Sequence, residues 1–183
     1  MKKLLKKKMY LIIIMVIVSI ALGIFIFSKL DESNISYIIS QANNLKFVSI
    51  KNILYHILIF GISFTFAFLG IGILFLLVYL FFEGITVGFV LSYYFYCYKL
   101  GGVFYTLAYI LVYKLALIFF TVLLVLKFYK LFKNTIKSIK KESNDITKTI
   151  YNSIIVFSLI ILNDIFLILF GSKILNIFSF LIK

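Results

Sequence analysis

The stretch that decides the fold runs from Asn52 to Leu126 and is almost continuously apolar: NILYHILIFGISFTFAFLGIGILFLLVYLFFEGITVGFVLSYYFYCYKLGGVFYTLAYILVYKLALIFFTVLLVL. A helix needs about 20 residues to cross a bilayer, so this stretch has room for three crossings. Polar or glycine-rich turns are expected at Glu83-Gly84 and at Lys99-Leu100-Gly101-Gly102. These turns predict spans over residues 52–82, 84–98 and 103–126.

The composition of the whole chain agrees with a membrane protein. Of its 183 residues, 64% are hydrophobic and only 14% are charged. Soluble domains carry roughly a quarter charged residues, and the polar residues here could not cover the outside of a water-soluble fold. The lipid bilayer is therefore the expected solvent for most of the surface.

Two further apolar runs flank this stretch. A lysine-rich start precedes the run from Met9 to Phe27, which is too long for the apolar part of a signal peptide and lacks a cleavage site after it. An uncleaved first span is predicted over residues 9–28. The last span is predicted over residues 150–170.

The lysines orient these spans. Residues 127–149 carry seven lysines and form the most basic loop, so this loop is placed in the cytoplasm with the N-terminus. The prediction is an all-α polytopic bundle of about five transmembrane helices, with the N-terminus inside and the C-terminus outside. The formal net charge of +13 favours contact with anionic lipid, and no nucleic-acid partner is expected.

Two mixed segments are predicted to lie on the outer membrane surface. In the external segment, residues 30–51, apolar residues recur at steps of three and four, as in an amphipathic helix. A short solvated loop is the alternative. The tail, residues 172–183, has a similar pattern and predicts a second amphipathic outer helix.

Charged side chains within the spans are the strongest functional pointers in a membrane chain. Lys114 and Asp164 are predicted to pair between neighbouring helices, although both could instead extend their charged ends toward water. Glu83 is expected to stay solvated at a cytoplasmic turn. His56 is expected to pack at the membrane interface.

Small residues permit close helix contacts in lipid. Their packing could lie within one chain or between copies of the chain, so self-association stays open. The candidates for helix packing are Gly61, Gly70, Gly72, Gly84, Gly88, Gly101 and Gly102.

The tyrosines between Tyr93 and Tyr109 cluster near the Gly101-Gly102 turn, where an interfacial aromatic belt is expected. The chain has one histidine and one cysteine, Cys97. This inventory gives no catalytic residues, no metal site and no cofactor site of usual composition. A non-enzymatic role is therefore expected.

The order of these features resembles the stage II sporulation protein M family. The similarity is best over residues 52–130. It rests on Gly70-Ile71-Gly72, on Phe81-Phe82-Glu83-Gly84-Ile85-Thr86-Val87-Gly88-Phe89 and on Gly101-Gly102-Val103-Phe104. Wider relatives carry proline, histidine and glutamate in the fourth span, whereas this chain reads Leu111-Val112-Tyr113-Lys114-Leu115-Ala116 there.

The resemblance implies a role in endospore formation. Proteins of this family are membrane scaffolds that recruit stage II sporulation proteins D and P, which cut septal peptidoglycan during forespore engulfment. The location it implies is the cell membrane at the sporulation septum. A small membrane transporter or permease subunit is the alternative, because charges and a glycine break lie within the spans.

Overall fold

The chain folds as an all-α bundle, in agreement with the predicted fold class. The computed structural model describes residues 2–42, 50–139 and 146–182, and that part of the chain contains no strand. Its α-helices are α1 Lys2–Ser28, α2 Glu32–Ala42, α3 Ile50–Thr65, α4 Ile71–Tyr109, α5 Leu115–Ile139, α6 Ile146–Phe166 and α7 Ser172–Ile177. Short 3-10 turns cover Ala67–Leu69 and Ser179–Ile182, and π-helical segments cover Ile110–Lys114 and Leu167–Gly171.

Long apolar helices dominate the described residues. Three helical stretches are long and apolar enough to cross a membrane: Met9–Ser28, Ile71–Ile139 and Ile146–Ile177. Helix α3 is apolar but shorter, at 16 residues. Many large apolar side chains point outward, such as Leu11, Ile17 and Leu74, each about 60% exposed. An apolar exterior of this kind is suited to lipid.

Helices α3 and α4 form an antiparallel hairpin whose turn ends at Gly70. This glycine has φ +81°, a left-handed conformation that glycine adopts without steric cost. Phe66 then lies against Phe75, and Phe60 against Tyr79, so α3 runs back along α4.

The predicted turn at Glu83-Gly84 is therefore wrong. Helix α4 continues through both residues without a break, and the separate spans 52–82 and 84–98 do not exist. Helices α3 and α4 are separated at Gly70 because the backbone reverses direction there. Glu83 forms an ion pair inside the bundle, so its charge does not have to be solvated.

A second reversal lies at Lys99, where φ is +53° and ψ is −131°. Contacts on either side of Lys99 are those of an antiparallel hairpin. The rings of Tyr94 and Tyr105 are 5.0 Å apart, and deeper in the bundle Glu83 meets Lys114. A β-carbon on Gly102 would collide with the carbonyl oxygen of Tyr94, so this close turn requires glycine.

Helix α1 packs in parallel against the first half of α4, which is the most extensive helix contact in the structure. Gly84 lies against Ser19, and Gly88 lies against Ile20, so both sequences advance in the same direction. Gly23 of α1 in turn lies against the backbone of Ile85. Small residues on both helices let the two backbones approach closely.

The central core lies between α3, α4, α5 and α6. Helices α5 and α6 are antiparallel, since Asn134 bonds to Thr149 at one end and Tyr113 contacts Gly171 at the other. The fully buried side chains of this core include Phe60, Leu76, Leu80, Leu124, Phe128 and Ile160.

The segment predicted as a basic loop, residues 127–149, is helical over most of its described length. Helix α5 continues to Ile139 and α6 begins at Ile146, while residues 140–145 lie outside the described residues. The external segment contains α2, and residues 43–49 of it also lie outside the described part. The tail is helical as far as Ile182, with Leu175 buried.

Candidate functional site

Ionisable side chains meet inside the bundle, and the first pair joins α3 to α6. His56 Nδ1 lies 2.6 Å from Asp164 Oδ2. Both residues are buried, at 6% and 2% exposure. The imidazole is held by aromatic neighbours, with the Phe60 ring centroid 5.7 Å away and the Tyr79 ring perpendicular to it. Two distant parts of the chain therefore share one enclosed polar contact.

Tyr79 of α4 extends this contact. Its hydroxyl lies 2.9 Å from His56 Nε2, so both ring nitrogens of the histidine are occupied. Glu83 follows Tyr79 by four residues, one helical turn further along α4, so the two side chains lie on the same face of that helix. The second buried carboxylate, that of Glu83, therefore lies next to the His56 contact on α4.

Glu83 closes the cluster through an ion pair with Lys114. Lys114 Nζ donates to Glu83 Oε2 at 2.6 Å, with both side chains more than four-fifths buried. We call the five residues Asp164, His56, Tyr79, Glu83 and Lys114 the ionic cluster. It connects α3, α4, α6 and the π-helical segment before α5.

The cluster corrects the predicted pairing of Lys114 with Asp164. The structure gives these two charges different partners, namely Glu83 for Lys114 and His56 for Asp164. The physical reason is the hairpin at Lys99, which brings Glu83 opposite Lys114. Neither charge extends toward water, since the Asp164 side chain is 3% exposed and the Lys114 side chain 17%.

The expected positions of His56 and Glu83 are also corrected. His56 is buried in the bundle and does not serve as an interfacial packing residue. Glu83 lies in the middle of α4 and not at a solvated turn. Both residues can be buried because each has an oppositely charged or hydrogen-bonded partner from another helix.

The helical stretches that carry Lys114 and Asp164 are both irregular close to these two residues. The segment Ile110–Lys114 is π-helical and ends at Lys114, and the segment Leu167–Gly171 is π-helical and begins three residues after Asp164. The two segments contact each other. Single-turn π-bulges occur frequently at functional sites. Their coincidence with the ionic cluster marks this region as the best candidate site.

A small cavity adjoins the cluster. Its volume is about 30 Å³, and His56, Lys114 and Asp164 line it together with Asn52, Tyr109 and Tyr113. That volume suits about one water molecule with several polar partners. The described residues contain no group of three or more histidine, cysteine or acidic side chains that could hold a metal ion. The cavity can therefore hold about one water molecule beside the ionic cluster.

The glycine candidates fall into distinct roles. Gly84 and Gly88 form the α1 contact, Gly102 lies at the Lys99 reversal, and a β-carbon on Gly72 would collide with the Ser63 carbonyl oxygen. Gly70 forms the first turn. Gly61 is open, with no atom near the position of a β-carbon. Gly101 lies within α4, near the Lys99 reversal.

The tyrosines near the reversal at Lys99 fall into a buried group and an exposed group. Tyr105, Tyr109 and Tyr113 are buried and form a second core with Leu167 and Leu175, so they do not belong to an interfacial belt. In contrast, Tyr96 and Tyr98 are 47% and 40% exposed. The buried three face α6 and the tail because the Lys99 hairpin turns them inward.

Sequence reasoning missed Tyr79 and Gly23, and it misplaced His56 and Glu83. A signal was present for Gly23, since Ser19 and Gly23 are separated by four residues, like Gly84 and Gly88. A signal was also present for His56 and Glu83, which are ionisable residues in apolar runs. Tyr79 carried no signal that distinguishes it from the other tyrosines.

Comparison with protein families, with curated proteins and with solved structures found no match to this chain.

Proposed function

We propose that this chain is a non-enzymatic scaffold of the cell membrane that acts in endospore formation by recruiting peptidoglycan hydrolases to the sporulation septum. The proposal draws its process and its partners, stage II sporulation proteins D and P, from the resemblance of residues 52–130. The scaffold role is inferred from the pairing of the buried charges with one another inside the bundle.

The observation that carries the scaffold role is the closure of the ionic cluster. Each buried charge has a partner from another part of the bundle at 2.6 Å, and the adjoining space is about 30 Å³. Charges satisfied in this way fix the register of helices, which is the best-attested use of buried polar pairs. A rigid bundle of this kind is suited to holding partner proteins.

The proposed topology has five membrane crossings, with the N-terminus in the cytoplasm. The crossings are α1, α3, α4 up to Lys99, the chain from Lys99 into α5, and α6. Lysines at the start of the chain and in residues 127–149 then lie on the cytoplasmic side. Helix α3 spans about 24 Å at 1.5 Å per residue, so it is the shortest crossing.

The test is crosslinking and co-purification from sporulating cells that produce the tagged chain. Proteins D and P are expected among the crosslinked partners, and an unrelated tagged membrane protein is the control. Recovery of neither hydrolase above the control level contradicts the proposal. The same experiment with a variant that lacks α2, Glu32–Ala42, tests whether the external segment contacts the hydrolases.

Transport is the second candidate function. It is favoured by the buried charges and by the two π-helical segments beside them, because ionisable residues within a membrane commonly mark ion or substrate paths. Solute or ion flux into vesicles containing the purified chain distinguishes the two. Flux that depends on Lys114 supports transport, and flux equal to that of empty vesicles supports the scaffold.

A further inference from the structure

We propose that the chain forms a parallel dimer in the membrane, in which the outward face of α6 around Asn163 packs against the same face of a second copy. We call this surface, which comprises Ile155, Leu159, Asn163 and Phe166, the α6 face. This goes beyond the scaffold role and does not depend on it. It follows from an amide without a hydrogen-bond partner and from the apolar side chains beside that amide.

Asn163 is the polar residue of α6 that the fold of one chain leaves unsatisfied. Its Nδ2 is enclosed and is the only buried side-chain nitrogen or oxygen of the described residues that has no hydrogen-bond partner. The next residue is Asp164, so Asn163 lies at the depth of the contact between Asp164 and His56. The proposed topology places that depth within the hydrocarbon, where no water can satisfy the amide and an unpaired amide is strongly unfavourable.

Asn163 lies beside apolar side chains that point away from the bundle. The buried residues of α6, which face the core, are Thr149, Ser153, Val156, Ile160 and Asp164. Leu159 precedes Asn163 by one helical turn, Phe166 follows it by three residues, and both are exposed. Ile155, one turn before Leu159, is exposed as well. Residues three and four apart share one side of a helix, so these three apolar side chains and the half-buried Asn163 form one surface.

A second copy of the chain is the partner that the chemistry of Asn163 fits. A carboxamide carries both donors and an acceptor, so Asn163 of one copy can donate to Asn163 of the other. Two copies in one membrane have the same orientation, and the two-fold axis that relates them therefore runs along the membrane normal. Each residue beside that axis meets its own counterpart at the same depth. Asparagine side chains commonly form hydrogen bonds between neighbouring membrane helices, so the pair satisfies both copies.

The amide of Asn163 can turn toward this partner. The residue is only half-buried, and rotation of its carboxamide by half a turn exchanges Nδ2 and Oδ1 at the enclosed position. In the dimer one copy then presents the nitrogen and the other presents the oxygen, which is what one hydrogen bond between two identical amides requires. A single paired asparagine also fixes register and the number of helices in coiled coils, so the contact specifies two copies in one register.

The glycine-rich surfaces are occupied by the chain itself. Gly84 and Gly88 lie against α1 of the same chain. A β-carbon on Gly72 or Gly102 would collide with backbone of the same chain. Gly61 is open, but no described residue near it carries a buried polar atom without a partner. Helix α6 packs against α3 and α5 through its buried side, so the α6 face remains available to a second copy.

The first measurement is crosslinking between copies that carry one cysteine each in a Cys97→Ser background, in vesicles at a low protein-to-lipid ratio. Leu159→Cys lies on the α6 face. Ile165→Cys is the matched control, because Leu159 and Ile165 are exposed to almost the same extent, 38% and 41%, but Ile165 lies on the other side of α6 from Asn163. With a short membrane-permeant thiol crosslinker we expect dimers of Leu159→Cys and monomers of Ile165→Cys. Equal crosslinking of both variants, or crosslinking of neither, overturns the proposal.

The second measurement is the dissociation constant of the dimer, from energy transfer between N-terminally labelled chains in vesicles as lipid is added. Asn163→Leu keeps a side chain of similar size but removes the amide, and it is expected to raise the dissociation constant about tenfold, the size of one hydrogen bond between membrane helices. Asn163→Gln keeps the amide and should retain most of the affinity.

Asn152→Leu is the control for the second measurement. Asn152 also belongs to α6 but lies near the cytoplasmic end of that helix in the proposed topology, where water can satisfy its amide, so the dissociation constant should not change. Absence of energy transfer at every protein-to-lipid ratio overturns the dimer. Equal dissociation constants for Asn163→Leu and the unchanged chain overturn the role of Asn163, and the crosslinking result decides the proposal if Asn163→Leu does not fold.

Discussion

At the scale of single residues, Gly88 allows the backbones of α1 and α4 to lie in close contact. A β-carbon there would collide with the Ile20 carbonyl oxygen, which belongs to backbone and cannot rotate away. Gly88→Ala is therefore expected to destabilise the bundle by about 1–3 kcal/mol, as overpacked positions do. Unfolding of the purified variant in detergent measures the loss.

Gly61 offers the matched control. It also lies in an apolar helix, but no atom stands near its missing β-carbon. Gly61→Ala is expected to leave stability unchanged or to raise it by up to about 1 kcal/mol, because alanine favours helix. Equal losses at both glycines would show that the α1 contact is not the cause.

The ion pair of Glu83 with Lys114 is the second prediction at this scale. Lys114→Met removes one partner and leaves the Glu83 charge uncompensated, so a loss of about 3–5 kcal/mol is expected. Adding Glu83→Gln removes that charge too and should restore much of the stability. A double variant no more stable than Lys114→Met argues against the pair.

At the scale of helices, the second reversal depends on a strained residue. Lys99 has φ +53° and ψ −131°, a combination suited to glycine. Lys99→Gly is expected to stabilise the hairpin by about 1 kcal/mol, since strained non-glycine residues cost about 1–3 kcal/mol and glycine adds flexibility to the unfolded chain. A destabilised Lys99→Gly protein in the same unfolding assay would contradict the reversal at this residue.

The sequence predicted the helices better than their ends. Apolar runs located each long helix, because lipid-facing helices are apolar over most of their surface. The turns were harder. The first turn was predicted at Glu83 and lies at Gly70, and only the tertiary partner of Glu83, which lies 31 residues further on, shows that Glu83 can stay buried.

The candidate site was predictable only in part for the same reason. Lys114 and Asp164 stood out as charges in apolar runs, but their partners depend on which helices are neighbours. His56 and Asp164 are 108 residues apart, and no local pattern connects them. Tyr79 joins the cluster through its position in the α3–α4 hairpin, whose turn was placed elsewhere.

At the scale of the whole molecule, the two hairpins and the parallel α1 contact together produce one bundle around the ionic cluster. The cluster joins α3, α4, α6 and the π-helical segment before α5, so it links both hairpins to the final long helix. The proposed membrane topology places Gly70 and Lys99 at opposite membrane faces and Glu83 between them. That arrangement in a membrane is the central claim.

Cysteine accessibility in intact and in permeabilised cells tests it most directly, with single cysteines in a Cys97→Ser background and a membrane-impermeant thiol reagent that reaches the cytoplasmic face only after permeabilisation. We predict that Leu69→Cys reacts only from the cytoplasm, that Leu100→Cys reacts from outside, and that Phe82→Cys, which faces lipid, reacts from neither side. Reaction of Phe82→Cys from the cytoplasm, together with a shielded Leu69→Cys, would place the turn at Glu83 and contradict the account.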